Sequence, residues 1–243
     1  MTARLSWDGG PSGGLRDTGE RIAVADVTME YASARGRVRA LHDVSLSVEP
    51  GSSLAVVGPS GCGKSTLLGL LGGLEVPTRG QVQVGEHRIS AMAEADRATL
   101  RRRVFGFLFQ ADNLQPFLTV AENVGLQSVL AGLDDEAVHR QSLLDELDIG
   151  GLARRYPDQL SGGQRQRVAV GRALVHGPGV VLADEPTGSL DAVNSNRVVA
   201  LLLRLHRERG ATLVVVTHDR SVAARMDAVI ELRGGAMKDG SQP

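Results

Sequence analysis

Gly58-Pro59-Ser60-Gly61-Cys62-Gly63-Lys64-Ser65-Thr66 decides the fold of this chain. The stretch fits G-x-x-x-x-G-K-[ST], in which glycines let backbone N–H groups turn inward around phosphate oxygens. Lys64 is placed to reach β- and γ-phosphates, and the Ser65 hydroxyl to ligate Mg²⁺. The context agrees. Leu54-Ala55-Val56-Val57 before the stretch predicts a buried strand, and Thr66-Leu67-Leu68-Gly69-Leu70-Leu71 after it predicts a helix. The N-terminus of that helix adds its positive dipole end. The bland alternative is a glycine-rich turn with a chance lysine. It is a poor account, because Lys64 is one of only two lysines in the chain.

Outward from the loop, short apolar runs alternate with helical patterns. Ile22 to Tyr31, Val44 to Val48, Gln81 to Val84 and Val104 to Phe109 read as strands, the first two split by a loop containing Arg35-Gly36-Arg37. Val180 to Ala183, Thr212 to Val216 and Ala228 to Leu232 follow as buried strands, the last turning through Gly234-Gly235 into a short strand. Glu94 to Arg103, Thr119 to about Leu147, Gly162 to Val175 and Val193 to Arg209 read as helices. Such alternation argues an α/β fold with a mostly parallel sheet covered on both faces. The helical middle, roughly 111–176, interrupts it and reads as an inserted subdomain within a domain spanning 21–243. Residues 1–20 are polar and glycine-rich and read as a disordered tail carrying the only tryptophan, Trp7.

Composition bounds the function. The chain has 243 residues with 42% hydrophobic and 23% charged, as expected of a globular protein. A formal net charge of −1 gives no electrostatic argument for nucleic-acid binding, and none is expected. One cysteine excludes an internal disulfide framework. There is neither an apolar run of about 18 residues nor an apolar signal core. The expected place is the cytoplasm, with any membrane location supplied by a partner.

Two further motifs carry chemistry. Val180-Val181-Leu182-Ala183-Asp184-Glu185 is an apolar strand ending in two acids. Beside a phosphate loop, Asp184 suits Mg²⁺ binding and Glu185 suits the orienting of an attacking water. Taken alone, the pair reads equally well as an acidic turn. Leu160-Ser161-Gly162-Gly163-Gln164 opens a helix that Ser161 can cap, leaving N–H groups for a second anion.

Phosphate loop, Gln110, Leu160 to Gln164, Asp184-Glu185, Ser189-Leu190-Asp191 and His218 occur in the order and spacing of the ATP-binding cassette (ABC) ATPases, which the chain resembles from about Ile22 to its C-terminus. The resemblance implies a RecA-like phosphate-loop core with an N-terminal antiparallel β part and a helical subdomain. It implies ATP and Mg²⁺ as ligands. Gly58 through Thr66 would hold the phosphates, and Ser65, Gln110 and Asp184 would serve the metal. Glu185 would be the general base, and His218 would contact the γ-phosphate. Tyr31 would stack on adenine, although an ordinary strand aromatic is its bland rival. Ser161, Gly162, Gly163 and Gln164 would act on ATP held by a second copy, with Asp191 at the contact between copies. The chain would thus form an ATP-bound homodimer that powers an integral membrane permease from the inner face of the membrane.

A finer resemblance, to the macrolide-export and lipoprotein-release group, rests on several stretches. They are Gly72-Gly73-Leu74, Pro77-Thr78, Gly80, Gly106-Phe107-Leu108-Phe109-Gln110, Asn113-Leu114, Leu118-Thr119, Glu122-Asn123-Val124 and Asp184-Glu185-Pro186-Thr187-Gly188. The chain departs from that group at Ala111-Asp112, where an aromatic usually precedes asparagine, and at Gln115 and Gln127. An ATPase of a cell-division or envelope-remodelling complex without transport would share every motif. ABC proteins of chromosome maintenance carry long coiled coils, and no heptad run occurs here. Translation-associated ones usually carry two cassettes, where this chain has one.

Overall fold

The computed structural model describes residues 19–33, 36–133, 137–188 and 190–238. Strands β1 (Ile22–Ser33) and β2 (Gly36–Val48) form a long antiparallel pair. Next come β3 (Ser53–Val57) and helix α1 (Lys64–Leu71). Strand β4 (Arg79–Val84) then joins the other edge of β1, giving a three-stranded sheet in the order β2-β1-β4. After α2 (Glu94–Val104) and β5 (Phe105–Leu108) the chain turns helical, with α3 (Val120–Ala131), α4 (Ala137–Glu146) and α5 (Gly162–Leu174). It returns through β6 (Val180–Asp184), α6 (Ala192–Arg209), β7 (Thr212–Val216), α7 (Arg220–Ala223), β8 (Ala228–Arg233) and β9 (Ala236–Met237). The second sheet runs β5-β6-β7-β3-β8-β9, parallel except for β9.

The alternation of side chains across a strand explains why these runs are apolar throughout. Leu54 and Val56 of β3, Val180 and Leu182 of β6, and Val214 and Val216 of β7 face one core, shared with α1 and the antiparallel sheet. Their neighbours Ala55, Val181, Ala183, Leu213 and Val215 face a second core, shared with α3, α4, α5 and α6. Both faces are dry, and the buried polar residues that β3 and β7 do carry, Ser53 and Thr212, stand at their first positions with their hydroxyls hydrogen-bonded. Chemistry is confined to the strand ends.

Several elements differ from the sequence reading. The loop expected to contain Arg35-Gly36-Arg37 does not take in Gly36 and Arg37, since β2 starts at Gly36, which pairs with Ser33, and Arg35 lies outside the described residues. Arg37 and Arg39 lie in the ladder and both donate to Glu30, which explains charged residues in a strand. The bends fall at Asp26 and Asp43, whose φ values of 51° and 47° are left-handed, a conformation aspartate tolerates. Thr119 to Leu147 is two helices, the first ended by Gly132 at φ 70°. Thr119 caps it with a reciprocal Glu122 bond. Of the expected tail, residues 1–18, Trp7 included, lie outside the described residues. Glu20 is bonded to the domain: its carbonyl accepts from the Thr212 hydroxyl at 2.7 Å, and its N–H donates to the Gly179 carbonyl.

His176, just past α5, pins that helix to the sheet through Nε2, which donates to the Phe105 carbonyl at 3.1 Å. Nδ1 is buried without a partner. Burial lowers the His176 pKa from 6.5 to about 4. The unfolded chain therefore takes up a proton first, so the stability this residue lends is complete above pH 6.5 and is lost as pH falls toward about 4. The loss amounts to roughly 3 kcal/mol. Buried His206 shifts in the same direction. Thermal unfolding followed from pH 7.5 to 4.5 is expected to show a falling Tm, with a shallower fall in His176→Gln. An identical slope in the two proteins would refute this assignment.

Candidate active site

Because β3, β6 and β7 are parallel, their C-terminal ends share one edge. Asp184 stands opposite Val216, and Val216 opposite Val56. The phosphate loop leaves β3 immediately beyond. Its shape depends on glycine at two contacts. A Cβ on Gly58 would stand 2.3 Å from the Leu232 carbonyl oxygen, and one on Gly63, at φ 102°, would stand 2.4 Å from that of Ala40. The Lys64 ammonium donates to the carbonyls of Gly58 and Pro59, each at 2.9 Å, and is largely buried. It sits inside the curve of the loop. Thr66 follows on α1, near the Tyr31 hydroxyl.

Cys62 lies on the inner side of the loop. Its side chain is 4% exposed and packs in the first core, its N–H points to the Pro59 carbonyl, and its carbonyl accepts from Gly235. It holds the loop from beneath.

Asp184 and Glu185 part in role. Burial raises the Asp184 pKa, opposed by a hydrogen bond from Ser65 and by the charge of Lys64 and reinforced by Glu185. Glu185 adopts φ 46°, and its N–H donates to the Val216 carbonyl. That bend turns its carboxylate to the neighbouring strand end, where Oε1 meets His218 Nδ1 at 2.8 Å and Oε2 accepts from Thr217 at 3.4 Å. His218 is open to solvent. Thr217 was missed in the sequence. Its signal is a hydroxyl closing an all-apolar strand. Gln110, two residues past β5, lies against Gly188, where a built Cβ would stand 3.3 Å from Nε2. Ser65, Asp184 and Gln110 offer oxygen donors, the chemistry that suits a hard cation such as Mg²⁺.

Ser161 N-caps α5. Its hydroxyl accepts from the Gln164 N–H, and the Gln164 side chain accepts from the Ser161 N–H. Gly162 lies beside Leu190, and a Cβ on Gly163 would stand 3.2 Å from Asn194 Oδ1. Asp191 caps α6, and its carboxylate accepts from the Asn194 N–H at 2.9 Å and side chain at 2.6 Å, bonds that lower its pKa. Signature and Asp191 thus form one packed unit through Asn194, a residue with no sequence signal. The phosphate loop is packed by a different set, Ala40, Leu41, Leu232 and Gly235. Ser189 lies outside the described residues. Tyr31, half-exposed on β1, donates its hydroxyl to Glu75. Burial raises its pKa, and the Glu75 bond adds to the shift. The hydroxyl fixes the ring beside the start of α1.

Strand, glycine loop and helix, with an acid pair at the next-but-one strand end, define a phosphate-loop nucleoside triphosphatase. The chain belongs to the ABC transporter family, whose profile matches residues 41–188. It is an ABC ATPase and binds ATP.

Among its relatives is the lipoprotein-releasing system ATP-binding protein LolD of Xanthomonas campestris pv. campestris (strain 8004). That protein is 46% identical over 211 residues, covering 86% of this chain and 88% of LolD. The macrolide export ATP-binding/permease protein MacB of Hyphomonas neptunium is 47% identical over 216 residues, 88% of this chain but 33% of MacB. Among solved structures, the cassette MJ0796, dimeric and bound to ADP and Pi after hydrolysis, superposes with a TM-score of 0.83 at 35% identity. The match covers 89% of this chain and 96% of that one.

Proposed function

We propose that the chain hydrolyses ATP to power a separate membrane permease of the lipoprotein-release or export kind, held by that permease at the inner face of the membrane. Two copies work as a head-to-tail pair. The observation that carries this reading is the separate packing of the two nucleotide-binding segments. The phosphate loop is built on β2, β3 and β8, and the Ser161 turn on α5 and α6. A second copy brings the two together, with the helical region 111–176 carrying the signature.

The chemistry follows from charge and position. Lys64 neutralises the transferred phosphoryl group, and the N–H groups of the second copy's signature turn, Ser161 to Gly163, donate to the oxygens that gain charge. Glu185 orients a water and takes its proton, with Oε1 held by His218. Ser65, Asp184 and Gln110 would hold Mg²⁺, which screens the phosphate oxygens when bound. Tyr31 offers its ring to adenine.

Mixing chains tests the sandwich. Lys64→Ala and Ser161→Arg are each expected to be nearly inactive alone. Their mixture rebuilds one intact site per mixed pair and is expected to trap ATP. A mixture that traps no more than either chain alone refutes the shared site.

A further inference from the structure

Two arginines of α5 reach the loop after Gln110. Arg165 Nε donates to Asp112 Oδ2 at 2.9 Å, while Arg165 Nη1 donates to the Leu160 carbonyl at 2.9 Å. Leu160 immediately precedes Ser161. One guanidinium therefore grips both the carbonyl that opens the signature turn and a carboxylate two residues past Gln110. Two turns along α5, on the same face, Arg172 donates to the carbonyls of Asp112 at 2.8 Å and Asn113 at 2.7 Å. Asn113 has φ 47°, and this left-handed turn leaves two successive carbonyls on one side. Asp112 lies at one of the three places where the chain departs from the export and release group. Nothing in the ATPase chemistry calls for a carboxylate here, yet it has a matched cation.

The pair is not a stability device. The side chains of Arg165 and Asp112 are 39% and 31% exposed, and an exposed ion pair adds little to folding. Its value is geometric. A planar guanidinium offers several donors in a fixed fork, so satisfying Asp112 and Leu160 at once fixes the distance between them.

We propose that the Asp112–Arg165 pair is a latch that sets the signature turn according to the position of the Gln110 loop, with Arg165 a positioning residue for Ser161 to Gly163. Displacing the loop pulls Asp112 from Arg165 and frees the Leu160 carbonyl. The catalytic consequence rests on the two-copy ATPase reading above. The latch itself is a property of the single chain.

The test uses the full chain with Asp112→Ala, Arg165→Gln and the double variant. In nucleotide-free protein, both single variants are expected to speed amide exchange at Ser161 to Gln164 without lowering Tm. Their kcat is expected to fall about tenfold, within the usual range of coupling between sites. The KM for ATP moves less, since the phosphate loop is untouched. The double variant is expected to lose no more than Arg165→Gln, because the two residues act through one contact. Asp112→Glu keeps the charge and is expected to recover most of the loss. Wild-type exchange and turnover in the single variants, or losses that multiply in the double variant, overturn the latch. Faster exchange in a chain whose wild type never hydrolyses ATP supports the latch and refutes the two-copy ATPase reading instead.

Discussion

Glu185→Gln is expected to bind ATP with near wild-type affinity and to hydrolyse it about 10²–10⁴-fold more slowly. The substitution keeps the shape of a side chain whose oxygens meet His218 and Thr217. It removes only the ability to take a proton. The phosphate loop and Lys64 are untouched, so binding survives. The variant is therefore expected to collect as an ATP-bound pair of chains on size exclusion. Single-turnover hydrolysis and size exclusion with saturating ATP provide the check. Turnover within a few-fold of wild type removes Glu185 from its role, and a monomer under saturating ATP counts against the sandwich.

Lys64→Ala is expected to fail earlier, at binding, with an affinity for ATP at least about 100-fold weaker. Charge-assisted bonds to phosphate are worth roughly 1.5–3 kcal/mol each, and the ammonium is poised to make them from within the loop. Its present bonds to the Gly58 and Pro59 carbonyls also shape that loop, so truncation removes a ligand and a brace together. Equilibrium binding of a fluorescent ATP analogue measures the effect, with thermal unfolding to show that the variant is folded. Unchanged affinity in a folded variant overturns the loop assignment. Together the two substitutions separate holding the nucleotide from cleaving it.

What the sequence made legible follows from what each residue type can do. Val180 to Ala183 and Thr212 to Val216 are apolar without alternation because both faces of their sheet are covered, and such runs are easily placed. The phosphate loop was readable because few backbones need glycine at these spacings. The β1–β2 pair was harder. Its outer half is exposed on both faces, so Arg37 and Arg39 mimic a loop until Glu30 is seen across the ladder. The split between α3 and α4 was hidden because leucines and valines recur at three- and four-residue spacing on both sides of the break at Gly132. In the site, Asp184, Glu185 and His218 could be named from the sequence. Asn194 and Glu75 could not, because their roles arise only from contacts between distant segments. The burial of the Cys62 side chain was hidden for a related reason: a linear motif does not tell which of its side chains turn inward.

The contact between Gly63 and the Ala40 carbonyl has a consequence for how such a protein diverges. The cradle for the nucleotide is moulded from outside by a strand of another sheet, as a casting is by its die. The stretch of β2 beyond that contact, Gly36 to Arg39, is exposed and is free to lengthen, shorten or change charge. Ala40 and Leu41 are not, because an insertion there would lift the strand and change the cavity it forms. Lineages can therefore vary that outer stretch widely while the Ala40-Leu41 segment stays fixed in register. An engineer grafting this loop elsewhere must carry the Ala40-Leu41 segment of β2 along with it.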